Sequence, residues 1–267
     1  MSEVEWARLT APEIRALAAR GRALAVLPVG ALEQHGPHLP AGTDSLIAAA
    51  LAVRAARLAG PTEPVLVLPA IWTGMSEEHL PFGGTIALDY AGLAGVLRGV
   101  VRSLRALGFA RLLVVNGHGG NDAPLAVASR ELALEFAFPI VAALPWRLIP
   151  DTLRGVLEAQ SGVQHACEAE TSVMLALAPE LVRLDRMAPP AEGGVAANPA
   201  LTRFWSFAER APATGVRGDP RAASAAKGEK LMAAMADALA AAIRDVTLWR
   251  APDAVYAPGR GLGVAGR

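Results

Sequence analysis

Along the chain, short apolar runs alternate with longer stretches whose apolar positions recur every three or four residues. The runs at 23–29, 65–68, 111–115 and 139–144 are continuous rather than alternating, as in strands buried on both faces. Between them, 45–58, 90–107 and 122–136 carry a helical period, and further helices are predicted at 171–177, closed by Pro179, and at 221–246. Gly108 stands where a left-handed cap would end the second helix. Strands and helices in this alternation predict an α/β fold with a mostly parallel central sheet. Ligands of such sheets sit beyond the carboxyl ends of the strands, and polar clusters follow the first and third predicted strands here.

Two segments escape the pattern. Residues 187–219, with Pro189-Pro190, Gly193-Gly194 and Phe204-Trp205, have no period and are expected to run over the surface, covering a site or a subunit interface. Residues 251–267, rich in Gly, Pro and Ala, are expected to form a C-terminal arm on a neighbouring subunit or a loose tail. That leaves residues 1–250 as one domain.

Composition narrows the function classes. Lysine plus arginine number 25 and aspartate plus glutamate 25, so no basic field speaks for nucleic acid, and a small, fairly neutral substrate suits the balance. Aromatics make up only 5% of the chain, which assigns the core to Leu, Val, Ile and Ala. The single Cys167 excludes an intramolecular disulfide, and the opening Met1-Ser2-Glu3-Val4-Glu5 is acidic where a signal peptide would be basic and then apolar; the expected compartment is the cytoplasm. Every apolar run is broken by a charge before about 18 residues, so no membrane span is expected.

The five histidines all fall in polar, acidic or Gly-rich clusters. Glu33-Gln34-His35-Gly36-Pro37-His38 and Thr43-Asp44 follow the first strand; Glu33 and His35 would share one side of an extended segment. Carboxylate and imidazole ligands suit Zn, Mn, Fe or Co, and a further carboxylate allows a two-metal centre. Asp44 is either a helix cap or a ligand. His118, inside Asn116-Gly117-His118-Gly119-Gly120-Asn121, is expected to face a ligand with backbone amides nearby, while Asn121-Asp122 caps the next helix. The third cluster is His165-Ala166-Cys167-Glu168-Ala169-Glu170-Thr171, from which Glu168 or Glu170 would complete a metal site and His165 would be free to move protons. Glu78 and His79, before Leu80-Pro81-Phe82-Gly83-Gly84, are placed on a substrate-side loop or a solvated turn. His38 would brace its loop. Two acids beside Cys167 would raise its thiol pKa, the wrong direction for a nucleophile.

These three motifs, in this order over about residues 20–185, resemble the creatininase (creatinine amidohydrolase) family. The resemblance implies a three-layer α/β/α fold, a binuclear Zn or Mn centre, hydrolysis of an amide-like C–N bond by a metal-activated water, and usually a homohexamer. It implies Glu33, His35, Asp44 and His118 as metal ligands with Asp44 bridging, Glu170 as a further ligand, and His165 as the proton-transferring residue. Creatinine hydrolases carry Tyr-Glu where this chain has Gly119-Gly120, and wall their site with tryptophans where it has Ser161-Gly162-Val163-Gln164. Branches with Gly-Gly include a formamide-removing enzyme and a peptidase that trims a cofactor-precursor peptide. The expected substrate is therefore a small linear or cyclic amide, or a precursor peptide, with Glu78, His79, Gly117, Gly119 and Gly120 on the substrate side. A thiol hydrolase centred on Cys167 and a non-catalytic small-ligand-binding protein are the rival readings.

Overall fold

A computed structural model describes residues 3–60, 63–195 and 203–251; the expected arm or tail, but for its first residue, lies outside the described residues. In chain order, the main elements are α1 (Ala11–Ala18), β1 (Leu24–Val29), α2 (Thr43–Ala59), β2 (Val65–Val67), α3 (Tyr90–Ala106), β3 (Arg111–Asn116), α4 (Asp122–Phe136), β4 (Ile140–Ala143), α5 (Pro150–Val156), α6 (Glu168–Leu177), α7 (Phe207–Arg210) and α8 (Ala225–Arg244). The strands are all parallel, in the order β2-β1-β3-β4. Leu24 lies level with Val65 on one side and Arg111 on the other, and Val29 is level with Asn116.

Side chains alternate across this sheet and divide the core in two. Leu24, Val26, Val65, Val67, Leu113 and Val115 pack with α2, α5, α6 and α8. Ala25, Leu27, Val29, Leu66, Leu112 and Val114 pack with α1, α3 and α4. The result is the expected three-layer α/β/α arrangement, with strands buried on both faces, which is why their sequences read as unbroken apolar runs.

Helix α3 illustrates the helix-to-sheet logic. Leu93, Leu97, Val101 and Leu104 form its buried stripe, each contributing about 1.5–3 kcal/mol by burial, and Leu97→Asp would break it. Asp89 caps its start by accepting from the Gly92 amide at 2.7 Å. Gly108, at φ +85°, ends it, with the Phe109 amide donating to Leu104 at 3.0 Å and the Gly108 amide to Arg105 at 3.1 Å.

Pro28 sits inside central strand β1, where a missing N–H would ordinarily break the ladder. Its carbonyl, like that of Val26, accepts from the β2 side, from Ile71 and Leu68 respectively. The missing donor therefore faces the stretch past Val67 where β2 has already ended.

The structure departs from the pattern at helix ends. α6 starts at Glu168 rather than Thr171, so Glu168 and Glu170 are helical and not extended. α8 starts at Ala225, after a separate 3-10 turn at Pro220–Ala222. Helices α1 and α5 were not in the pattern; they are 8 and 7 residues long, with Ile14, Ala18 and Leu153 their buried residues, too few to set a period. Asn121 occupies the cap position of α4 but its side chain makes no cap bond: its Oδ1 accepts from the Met75 amide and its Nδ2 donates to the Gly30 carbonyl, tying together the loops after β1, β2 and β3.

Candidate metal centre

The loops at the carboxyl ends of β1, β2 and β3 meet the start of α6, and there most of the chain's buried ionisable groups converge. The loop after β1 folds back on itself, the Glu33 amide donating to the Ala41 carbonyl at 3.0 Å, and this turns Glu33 and His35 inward, fully or nearly fully buried. Gly42, not Asp44, occupies the cap position of α2. Asp44 lies in the first turn, where the helix dipole favours a carboxylate, with Oδ1 3.2 Å from His35 Nε2 and Oδ2 3.2 Å from His118 Nδ1.

Three histidines share one arrangement. His35 Nδ1 faces the Glu33 carbonyl at 3.2 Å, His118 Nε2 the Met75 carbonyl at 3.1 Å, and His165 Nε2 the Gln34 carbonyl at 2.7 Å. A carbonyl only accepts, so each of these nitrogens carries the proton and the other presents its lone pair inward. The inward atoms lie 3.2 Å from Asp44 (His35), 3.2 Å from Glu33 (His118) and 3.6 Å from Glu33 (His165). A backbone carbonyl fixing the outer N–H is the usual support of a metal-ligating imidazole.

His79 differs. Gln34 Oε1 accepts from the Gly36 amide at 2.8 Å, which directs its Nε2 amine at His79 Nδ1, 3.0 Å away. His79 Nδ1 thus accepts, and its Nε2–H points at Glu33 Oε1 across 3.4 Å. Placed on a 3-10 turn at Glu77–Phe82 and only 2% exposed, His79 belongs to the buried cluster rather than to a solvated loop, whereas Glu78 stands on the cavity wall.

Helix α6 supplies the last carboxylate. Glu170 is within donor reach of His35 and His165. Glu168, on the opposite face, accepts from the amides of Glu158 and Ala159 and from Lys227 Nζ, which removes it from the metal question. Ligand atoms of Glu33, His35 and Asp44 lie within 4.8 Å of one another, as do those of His35, His165 and Glu170, and of Glu33, His79 and His165. His38, outside this group, places Nε2 2.9 Å from Thr171 Oγ1 and so ties the β1 loop to α6.

The electrostatics show what the cluster lacks. Glu33 Oε1 and Oε2, Asp44 Oδ2 and Glu170 Oε2 are buried without a hydrogen bond. Burial pushes Glu33 up, and Glu170 up to about 7. Burial opposes a charged His35, yet Asp44 and Glu170 raise it to about 10; burial would likewise raise Asp44, but His35 and His118 hold it below the ordinary carboxylate range. Unpaired carboxylates packed this deeply call for cations, and three acids with imidazole lone pairs are a donor set for Zn, Mn or Fe. The residues present fit divalent metal ions.

A cavity of about 560 Å³ opens onto the cluster, and its wall includes Glu78, Gly119, Gly120, Phe207, Arg210 and Arg217. A wider groove of about 690 Å³ between α2, α6 and α8 has no such convergence of donors among the described residues. Gly117 is a correction: it does not line the cavity, because it is packed beneath the start of α2, where a Cβ would overlap the Asp44 carbonyl. At Gly120 a Cβ on this backbone would collide with His118 Nε2 and the Met75 carbonyl, so a side chain there would force the histidine and its support to shift. The apolar motif Phe204-Trp205 stays outside, Phe204 being 70% exposed. Instead Phe207 stacks on His79 at 4.2 Å between ring centres and leans on His165 at 4.5 Å. Phe207, Arg210, Arg217 and Gln34 had no distinguishing sequence signal beyond lying in, respectively, the aperiodic 187–219 segment and the β1 motif.

Cys167 is fully buried, its sulfur accepts from the Gln164 amide, and burial with Glu170 pushes its thiol up to about 12. That is the state of an inert core thiol. Among the described residues no helix is long and apolar enough to cross a membrane.

The creatininase (creatinine amidohydrolase) family model matches residues 7–243, beyond the motif span of about 20–185. The chain is 39% identical over 232 residues to a mycofactocin precursor peptide peptidase of Mycobacterium tuberculosis, covering 84% of each chain. It is 34% identical over 257 residues to a creatinine amidohydrolase of Pseudomonas putida, covering 89% of this chain and 95% of that one. Two solved creatininases, one an Mn form and one a variant of Zn-Zn type, superpose with TM-scores of 0.78 and 0.77, each 32% identical and covering 91% of this chain and 98% of theirs. The chain belongs to the creatininase family of amidohydrolases.

Proposed function

We propose that this protein is a binuclear metal-dependent amidohydrolase in which Glu33, His35, Asp44, His118 and Glu170 hold two divalent ions, Zn or Mn in first place and Fe as a third candidate. The observation that carries the reading is the set of four buried carboxylate oxygens without hydrogen bonds, interleaved with imidazole lone pairs. Asp44, with one oxygen toward His35 and the other toward His118, suits a bridge between two ions. The Mn and Zn-Zn forms of the neighbouring creatininases support the choice of metals. When bound, such ions supply Lewis-acid polarisation of an amide carbonyl and acidify water into a nucleophile at neutral pH.

The chain's own groups do the rest. His165 enters the reaction neutral, because burial holds its pKa well below the ordinary histidine value. Its Nδ1 is the atom that takes up a proton and passes it to the departing amide nitrogen, while the Gln34 carbonyl holds its Nε2–H. His79 turns its Nε2–H toward Glu33 Oε1 across 3.4 Å without bonding it, leaving that oxygen free. Gly119 and Gly120 line the cavity wall, and their backbone amides are the candidates to meet a substrate oxygen. Phe207 covers His79 and His165 and keeps bulk water off the proton path.

The substrate is a small linear or cyclic amide or a peptide bond, and creatinine is not favoured, because no tryptophan stands among the described residues that wall the cavity. The peptide form draws on the mycofactocin precursor peptide peptidase. We also propose a cytoplasmic homohexamer, which native mass spectrometry would check. The decisive experiment is elemental analysis of purified protein beside His118→Ala, with amine release from an amide and peptide panel. About two metal equivalents per chain, falling in the variant, are expected. Protein that takes up no metal after reconstitution would overturn the reading, and metal lost in His165→Ala would make His165 a ligand.

A further inference from the structure

Two arginines in the cavity wall are left over by the metal chemistry. Arg210, at the end of α7, and Arg217, beside His165 in a two-way backbone bridge (His165 amide to Arg217 carbonyl 3.2 Å, the reverse 2.8 Å), both line the cavity. Neither is fully exposed, and among the described residues neither has an acid within 4.0 Å, neither guanidinium donates a hydrogen bond, and the buried Arg210 Nε has no partner. Every other described arginine either has an acid partner, as Arg111 has Glu63 and Arg54 has Glu229, or lies exposed. Glu78 shares the wall but pairs with neither.

Half-burying two guanidiniums without a counter-ion is unfavourable, and the more so when they sit in one wall and repel. Burial, and then the like charge of Arg210, pulls Arg217 below the usual guanidinium range. Among the described residues, the Arg210 guanidinium is drawn to the Phe207 ring, 5.2 Å away, which does not neutralise it. A pair kept in this condition matches an anion that arrives with the ligand. The guanidinium fork is built for two-oxygen planar acids. With Asp44, Glu78 and Glu170 also facing the cavity, a singly charged carboxylate is accepted more readily than a doubly charged phosphate.

We propose that Arg210 and Arg217 form a carboxylate-binding subsite, so that the substrate is an acid as well as an amide: an N-acyl amino acid, or a peptide cleaved within a few bonds of a free carboxyl group. This deepens the hydrolase reading of the same cavity and rests on it. Creatinine and other neutral cyclic amides then lack the group that the wall is made to hold.

The test uses metal-loaded protein and one pair of probes, N-acetylglycine and N-acetylglycinamide, followed by ligand-observed NMR, which reports binding and acetate release in the same sample. The acid is expected to bind at least about ten-fold more tightly than the amide, and the preference to fall to about two-fold in Arg210→Gln/Arg217→Gln with metal equivalents per chain unchanged. If the double variant does not fold, Arg217→Lys, which keeps the charge and loses the fork, should lose part of the preference. Equal binding of acid and amide, no binding of the acid, or a preference that survives in the variant would overturn the proposal, the last because it seats the carboxylate on the metals. Binding through the arginines without acetate release would sink the hydrolase reading and spare the subsite. Equal hydrolysis of both probes would do the opposite.

Discussion

Glu168 and Glu170 stand two residues apart at the start of one helix, both buried, and their surroundings could hardly differ more. Two residues turn an α-helix by about 200°, so the side chains leave on opposite faces. Glu168 meets two backbone amides at 2.8–3.0 Å and Lys227 Nζ at 2.6 Å. Burial alone would raise its pKa, but Lys227 and those amides hold it below the ordinary value. Glu170 keeps one oxygen with no partner, and burial, with Asp44 and Glu33 adding to it against His35, pushes it up to about 7. A buried carboxylate satisfied by its own chain belongs to the fold, whereas one left unsatisfied is held for something the chain does not contain.

The largest effect follows from breaking the unsatisfied side. Glu170→Gln should lower the metal bound per chain and reduce turnover by more than the ~100-fold that loss of an outer partner brings. Stability should move the other way once metal is stripped with a chelator. With a folded pKa raised above the unfolded one, Glu170 binds a proton on folding; its penalty is absent below the unfolded value near 4.5 and grows as pH rises through about 7. Chelated Glu170→Gln should therefore match the wild type at pH 5 and exceed it in urea midpoint at pH 8. A midpoint that drops at pH 8 would mean Glu170 is held by the fold after all.

Glu168→Gln sharpens the contrast from the satisfied side. It leaves Lys227 with only Glu158 and the Ala222 carbonyl as partners and should cost about 2 kcal/mol, with metal content retained. The sign with pH is reversed: a carboxylate with a depressed folded pKa stabilises above its unfolded value, and that contribution is lost as pH falls through the folded pKa. The gap between Glu168→Gln and wild type should close only as pH falls below the ordinary carboxylate range. Loss of metal in this variant would erase the distinction between the two glutamates.

What the sequence made legible follows the same division. The strands were readable because burial on both faces leaves unbroken apolar runs; Glu33, His35 and His118 stood out as candidates because they follow strands in Gly-rich loops, and Asp44 because it opens the helix that follows the first of those loops. The start of α6 was not: its cap position is Cys167, with no Ser, Thr, Asp or Asn to announce it, so the helix was placed from Thr171 and the two glutamates were left undecided. At α1 a signal existed, Thr10 with Glu13 as a capping box, but the helix is too short for periodicity to register it. Phe207, Arg210 and Arg217 were hidden because their segment's course is set by packing over the finished cavity and leaves no repeat in its own residues. His79 is the intermediate case, visible as a candidate but not as a buried one.

Thr171, next to Glu170 on α6, tests how the helix is docked. Its hydroxyl meets His38 Nε2 at 2.9 Å, and burial, then His35, lowers His38 to about 4, so that neutral His38 is the form present above that pH. Thr171→Val keeps the shape and removes the partner. It should cost about 1 kcal/mol, read as a drop of about 2–4 °C in Tm for a chain of this size, without loss of metal.

The smallest expected effect is at Cys167, the residue between His165's turn and the two glutamates. Its sulfur has no exposed surface, and burial with Glu170 pushes the thiol up to about 12, so essentially no thiolate exists near neutral pH. Iodoacetamide added to native protein should leave turnover unchanged, while a chelator should abolish it. The same reagent added in urea should modify the thiol, which shows that the protection comes from packing and not from the sulfur itself. Alkylation of native protein that silences turnover while metal stays bound would bring back a thiol mechanism, because it would require a reactive Cys167 at the very helix start where the unsatisfied group is Glu170.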